Sequence, residues 1–453
     1  MMHSSWSRFP IAFVATILFA SALGLVLLAQ KTQQEQPPPP SPPPTPPTTL
    51  MTPTTPMAQD DSLPPAVAID AADYPSLQTA LDALPVSGGV VRIPPGIHEL
   101  SEPLIVRSGD TRIEGCGSAT HLRNLNRTGQ PALFIRPEAW DSKPRERLWR
   151  IEVCDLRISG NPDSGPGVRA VGVHEFLLRS LAVDRHGSHG IVMDRCEENP
   201  RVIGCNLTYN NGSGLHLLGG HDIVVSGNQF EENLDALTLL DGFNLTFTGN
   251  NVDDHLRHGV VIENSYGSVI TGNMIEECAG TAIILDRGCY GIAVSGNAIA
   301  HHLGGGIDLR GAWGCTVTGN NFVLVHQFAV RVSPGSGRHT ISGNQFTNSY
   351  VGDGKLKRAE GIRGPDLWHL DACAGVVLDE TEAVVINGNQ FSGLTTRAVE
   401  ARGACKRLLV TNNLVIDHGR GLAAGTSSIE PGEATDSLFE ANLAGPQVLE
   451  AAP

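Results

Sequence analysis

Aromatic residues are scarce in this chain, at 5% of 453 residues, and the repetitive second half has no stretch of helical apolar periodicity. The second shortage argues against a helical fold. Basic charge is also short: 32 Lys and Arg stand against 47 Asp and Glu, a formal charge of −15. A nucleic-acid binder needs a basic face, so nucleic acid is not the expected partner. The same charge counts against an acidic polysaccharide unless cations or a local basic patch intervene. The nine cysteines (116, 154, 196, 205, 278, 289, 315, 373 and 405) show no C-x-x-C spacing of a metal site. Their number is odd, so at least one thiol lacks an intramolecular partner, and small stacked apolar side chains are the plain reading.

Glycine is abundant, at 51 residues, and it recurs in a fixed context. Gly-Asn stands at Gly227-Asn228, Gly249-Asn250, Gly272-Asn273, Gly296-Asn297, Gly319-Asn320, Gly343-Asn344 and Gly388-Asn389, with a variant at Asn412. The steps are about 23 residues, and one is about 45, a period that marks a stacked solenoid. One unit, Ile292 to Leu309, reads IAVSGNAIAHHLGGGIDL: short period-two apolar strands separated by Gly, Asn and His turns. Gly takes a positive φ freely and Asn tolerates it, so the asparagines should form an internal ladder of amides. Three short strands per coil predict an all-β parallel β-helix with rungs about 4.8 Å apart.

Residues 74–122 sharpen this expectation. They contain a short helical stretch (Ser76 to Leu84), a Pro94-Pro95-Gly96 turn and an IEGCG run, Ile113 to Gly117. In this order they resemble the N-terminal portion of the pectate-lyase-like superfamily of right-handed parallel β-helices, and the Gly-Asn coils resemble its generic repeats. The resemblance covers about residues 66–425 and implies a capping helix and a substrate groove along one strand and its flanking turns. It does not imply one activity, because lyases, hydrolases, epimerases and non-enzymes share the scaffold.

Ile11 to Ala29 is nearly continuous apolar sequence between Arg8 and Lys31, long enough to span a bilayer, with no A-x-A-like cleavage site after Leu28. The expected organisation is a flank (1–10), a signal anchor or cleaved signal peptide (11–30), a Pro-rich spacer (31–62), the β-helix (63–425) and a C-terminal cap or disordered tail (426–453). The body of the protein would then be exported, tied to the membrane through the N-terminal helix, or secreted if that segment is cleaved.

With the ladder as ruler, residues one period apart become neighbours. The apolar residue after each Gly-Asn is Phe230, Val252, Ile275, Ile299, Phe322, Phe346 or Phe391. Directly after it come Glu231-Glu232, Asp253-Asp254 and Glu276-Glu277 on successive coils. Carboxylates this close repel, and Ca²⁺, which takes oxygen ligands, would relieve them; Glu231, Asp253, Asp254, Glu276 and Glu277 are the expected metal ligands. The next position reads Asn233, His255, Cys278 and His302, with His186 and Asn211 on a looser alignment. His255 and His302 are candidates for acid–base work on that turn.

The outward position of the next strand reads His216, Thr238, Val261, Ile284, Asp308 and Arg331. Asp308 and Arg331 sit one coil apart, with Arg310 on the same face. Taken with the resemblance, this puts the Asp308, Arg310 and Arg331 group beside His302 in a plausible site. The long step falls between Phe346 and Gly375 and carries Lys355, Lys357, Arg358, Arg363 and Trp368, suited to an anionic sugar chain. A second insertion spans 137–150.

The expected function is an exported protein that binds or acts on a polysaccharide, with a lyase or epimerase of uronate chains as the specific chemistry. A non-catalytic glycan-binding or adhesion module is the alternative. A periplasmic metal-handling accessory is the third reading, from the His255, Cys278 and His302 column. The epimerase-type DPHD run and the spaced aspartates of polygalacturonase-like hydrolases are absent from the chain.

Overall fold

The computed structural model describes residues 67–302, 304–347, 373–419 and 422–447. They form a parallel β-helix. Two strands of each coil belong to one 27-stranded sheet (sheet A), bent at the Gly-Asn turn, and the third joins a 13-stranded sheet (sheet B). Among the described residues, no helix is long and apolar enough to cross a membrane, and the 11–30 segment lies outside them.

The start of the solenoid follows the expected order. Ser76 caps the helix Leu77–Asp82 through a capping box with Thr79. Strand Gly89–Arg92 then leads through the Pro-Pro-Gly turn into Gly96–Leu100, and Thr111–Glu114 follows.

The ladder is present as inferred. At each rung the asparagine Oδ1 accepts both the main-chain N–H and the side-chain N–H of the asparagine one coil earlier. Asn273 N and Nδ2 reach Asn297 Oδ1 at 3.0 and 2.9 Å, for example. Gly227 takes φ 64°, a conformation that a side chain resists. One rung was misread: Asn413, not Asn412, receives Asn389 N at 3.0 Å, while Asn412 fills the glycine position at φ 56°. The ladder also crosses the long insertion, since Asn344 N donates to Asn389 Oδ1 at 3.0 Å.

The apolar column is in register from Phe230 through Val252, Ile275, Ile299, Phe322 and Phe346 to Phe391. All seven are buried. Phe322, Phe346 and Phe391 stack with ring centroids 4.8 and 4.4 Å apart. Burying each such ring stabilises the coil by roughly 1.5–3 kcal/mol. Among the described residues, which include all nine cysteines, no disulfide is formed, and eight of the nine are buried, as small core residues would be.

The solenoid runs past residue 425, so the expected C-terminal boundary is too early. Strands Ile429–Glu430, Leu438–Glu440 and Leu443–Ala444 pair with the preceding coil. Asn442 supplies a further rung, accepting Asn413 N at 3.0 Å. The 137–150 insertion is pinned down by Trp140, which lies on Gly172 where a Cβ would stand 2.4 Å from the ring. The Arg195 and Arg147 guanidiniums face that ring at 4.6 and 5.3 Å.

Candidate functional site

Three rows of chemistry-bearing side chains follow from this register, and they occupy different places. The first is the acidic turn. Glu231 pairs with Asp253 across neighbouring strands, and Glu232, Asp254 and Glu277 follow in left-handed turn positions at φ 47°, 54° and 52°. Carboxylate oxygens of Asp253, Asp254 and Glu277 all lie within 4.8 Å of one another. Partial burial, then the charge of Asp254, pushes the Asp253 carboxyl up to about 6. Partial burial and the hydrogen bond and charge of Asp254 push Glu277 up to about 7. Glu276 adds to both. His301 Nδ1 stands 3.6 Å from Glu277 Oε1.

The second row is the histidine column, and it faces inward. His255 is 1% exposed and His302 0%. His255 Nδ1 donates to Asn233 O at 3.2 Å, and His302 Nε2 to Ile275 O at 3.0 Å. Burial pulls both imidazoles down to about 4. The expectation of a solvent-facing acid–base pair is therefore corrected: these rings continue the internal polar column begun by Asn210 and Asn233, and they do not reach a ligand on the surface. His302 does not stand in a site with Asp308, because one ring points into the core and the other side chain lies on the outer face of sheet B. The looser alignment also slipped by one residue, since Asn210 rather than Asn211 bonds Asn233 Oδ1, at 2.9 Å. Cys278 is buried in the same column. Among the described residues, His255, Cys278 and His302 do not form a cluster with converging ligand atoms.

The third row is the outer face of sheet B. His216, Thr238, Val261, Ile284, Asp308 and Arg331 are neighbours in unbroken register. Asp308 is 0% exposed although it points outward. Arg310 Nε donates to its Oδ2 at 2.6 Å, Arg331 Nε and Ser333 Oγ donate to Oδ1 at 3.1 and 2.9 Å, and Arg331 Nη2 also reaches Oδ2. Burial alone would raise this carboxyl, but the hydrogen bonds and charges of Arg331 and Arg310 outweigh it and hold it below the ordinary value. Both guanidiniums remain about one-third exposed, and Arg331 lies 4.3 Å over the Phe328 ring.

Toward the N-terminal end, the same face opens into a cleft of about 230 Å³, lined by His189, Ser213, His216, Thr238, Arg257 and Val261 among others. His189 and His216 stack at 4.3 Å. Ser213 N–H donates into His189 Nδ1 at 2.9 Å, and Thr281 N–H into His258 Nδ1 at 3.0 Å. A backbone N–H only donates, so each neutral ring carries its proton on Nε2. Asp235 is buried and accepts Arg257 Nε at 2.9 Å and His258 N at 3.0 Å.

The family model for the right-handed β-helix region matches residues 147–299 and 258–435. The chain belongs to the right-handed β-helix family. No curated protein matches it in sequence. Among solved structures, it resembles the catalytic unit of a thermostable GH87 α-1,3-glucanase from Streptomyces thermodiastaticus, with 17% identity, 84% of this chain and 71% of the other covered, and a TM-score of 0.50. The Agl-KA catalytic domain is similar at 12% identity, with 84% and 69% covered and a TM-score of 0.50. At such identities the likeness shows the fold.

In this β-helix Asp308, Arg310 and Arg331 come together as expected, but around a buried carboxylate with half-buried guanidiniums rather than as a surface ion pair. Lys355, Lys357, Arg358, Arg363 and Trp368 lie outside the described residues. Asp235, Ser213 and Arg257 were missed. Their signal was available: Asp235 stands 22 residues before Arg257, one coil apart.

Proposed function

We propose that this domain binds a polysaccharide laid along the outer face of sheet B. The observation that carries this reading is the continuous outward row from His216 to Arg331, with a polar cleft at one end and a paired-guanidinium cluster at the other. Arg310 and Arg331 supply planar N–H donors for a sugar carboxylate. His189 and His258 supply Nε2–H donors for sugar oxygens. The fold also serves an α-1,3-glucanase, but it is this chain's own side chains that point to a glycan.

Binding without turnover is the version the geometry supports best. The carboxylate at the arginine cluster is already ion-paired, and two of the imidazoles near the groove hold their proton where a base needs a lone pair. The finer reading is a uronate lyase or epimerase. Both guanidiniums, held charged by Asp308, would bind the substrate carboxylate and stabilise the enolate-like charge that develops on it during elimination or epimerisation. The side-by-side arginines favour this second reading.

The acidic turn belongs to the same proposal as a Ca²⁺ site, with Asp253, Asp254 and Glu277 as ligands and Glu231 and Glu276 flanking them. So does export, with residues 11–30 as anchor or cleaved signal. The test is to incubate the purified protein with acidic and neutral polysaccharides, following retention together with unsaturated products and reducing ends. Retention without product supports the binding module, product formation supports the enzyme, and neither outcome with any glycan refutes the proposal. Fractionation of cells expressing the full chain tests export: a cytoplasmic protein refutes that part.

A further inference from the structure

The outer face of sheet B is electrically divided. At the cleft every charge is matched. Arg257 is paired with Asp235, Glu263 with Arg287, and Asp194 with Arg195. The remaining polar groups are neutral donors and acceptors. His216 Nδ1 lies 2.5 Å from Thr238 Oγ1, which is 3.0 Å from Ser213 Oγ, and the stacked His189 presents Nε2–H. Leu234, Leu240 and Val261 line the same cleft and offer an apolar floor. Alternating apolar and hydroxyl-matching surface suits the two faces of a neutral sugar ring. Burial holds His189 down to about 4 and also lowers His216, so these rings bring no positive charge at neutral pH.

At the other end, among the described residues, two guanidiniums share one carboxylate, Asp308, and Asp379 acts on Arg331 by charge without an ion pair between them. This is where the face can accept an anion. Thr238 and Arg331 are separated by four rungs, through Val261, Ile284 and Asp308, or about 19 Å. A homopolymer of uronate would place an unmatched carboxylate in the cleft, against paired charges and neutral donors. Leaving such a charge without a partner is costly.

We propose that the ligand of this face is a heteropolysaccharide, with neutral sugar in the cleft at His189, His216 and Thr238 and an acidic residue at Arg310 and Arg331. This rests on the glycan-binding role proposed above. Titration calorimetry would compare three probes: polygalacturonate (acidic homopolymer), dextran (neutral) and xanthan (neutral sugars with glucuronate). The expected order puts xanthan at least about tenfold tighter than either, or about 1.4 kcal/mol. Thr238→Val, and independently His216→Gln, should weaken xanthan severalfold without changing its salt dependence. Arg331→Gln should flatten the salt dependence and erase the preference for xanthan over dextran. Polygalacturonate binding as tightly as xanthan overturns this inference and leaves the glycan role standing. Failure of all three probes, and of a wider glycan panel, removes the role itself.

Discussion

The inward histidine column makes the fold acid-sensitive in a way that can be worked out residue by residue. His255 titrates near 6.5 in an unfolded chain and near 4 when folded, because burial disfavours its charged form. The folded pKa is lowered, so the unfolded state binds the proton more readily. The stabilisation is whole above pH 6.5 and is lost as pH falls toward about 4. Between pH 8 and pH 5 this one imidazole costs about 2 kcal/mol of stability, from a shift of about 2.5 pH units. Replacing it with asparagine extends the Asn210 and Asn233 column with an amide that does not titrate. His255→Asn should therefore shrink the difference in stability between pH 8 and pH 5 by about 2 kcal/mol relative to the parent. The double variant with His302→Asn should shrink it by about 4 kcal/mol. Urea unfolding at the two pH values, read by circular dichroism, measures this directly. An unchanged pH difference in both variants would show that these rings are not buried neutral groups. Glycan binding should be untouched by either change.

Asn297→Ala removes the acceptor for Asn273 N and Nδ2 and two side-chain donations, to Ile270 O and Asn320 Oδ1. It should cost about 3 kcal/mol in urea unfolding; a loss under about 1 kcal/mol would mean the ladder is ornamental. Calcium titration should register binding at the acidic turn and depress the raised carboxyl titrations of Asp253 and Glu277, and Asp254→Asn should abolish both effects. No heat and no shift in the millimolar range would remove the cation from the account. Arg310→Gln should weaken an acidic glycan about tenfold and lower its salt dependence, without altering a neutral one. Equal losses for both would point to a structural role.

The architecture was legible because its signal is redundant. Phe230 to Phe391 and Asn228 to Asn389 repeat at the coil period, so one alignment fixes many neighbours at once. The same ruler predicted the Asp308 and Arg331 pair and the acidic turn. Period alone does not say which way a turn residue points, and His255 and His302 are the result. After the left-handed turn residue (Asp254 or His301), the chain folds the next side chain into the core, and a polar imidazole in that position looks identical in sequence to an exposed one. Asn233 and Cys278, both core-compatible, stood in the same column and carried the clue. Burial of Asp308 was invisible for a related reason: it arises from Arg310 and Ser333 closing over a carboxylate from two different coils. The final coil escaped notice because its glycine is replaced by alanine, in Ala441-Asn442, at φ 54°.

If the outer face of sheet B is the glycan-binding surface, a bound sugar chain must lie along it. A crystal structure of the protein with a bound acidic heterooligosaccharide tests this most directly. Sugar density should run from the Thr238 cleft to the exposed edges of Arg310 and Arg331. Density along sheet A or on the acidic turn, with the sheet B face bare, would contradict it.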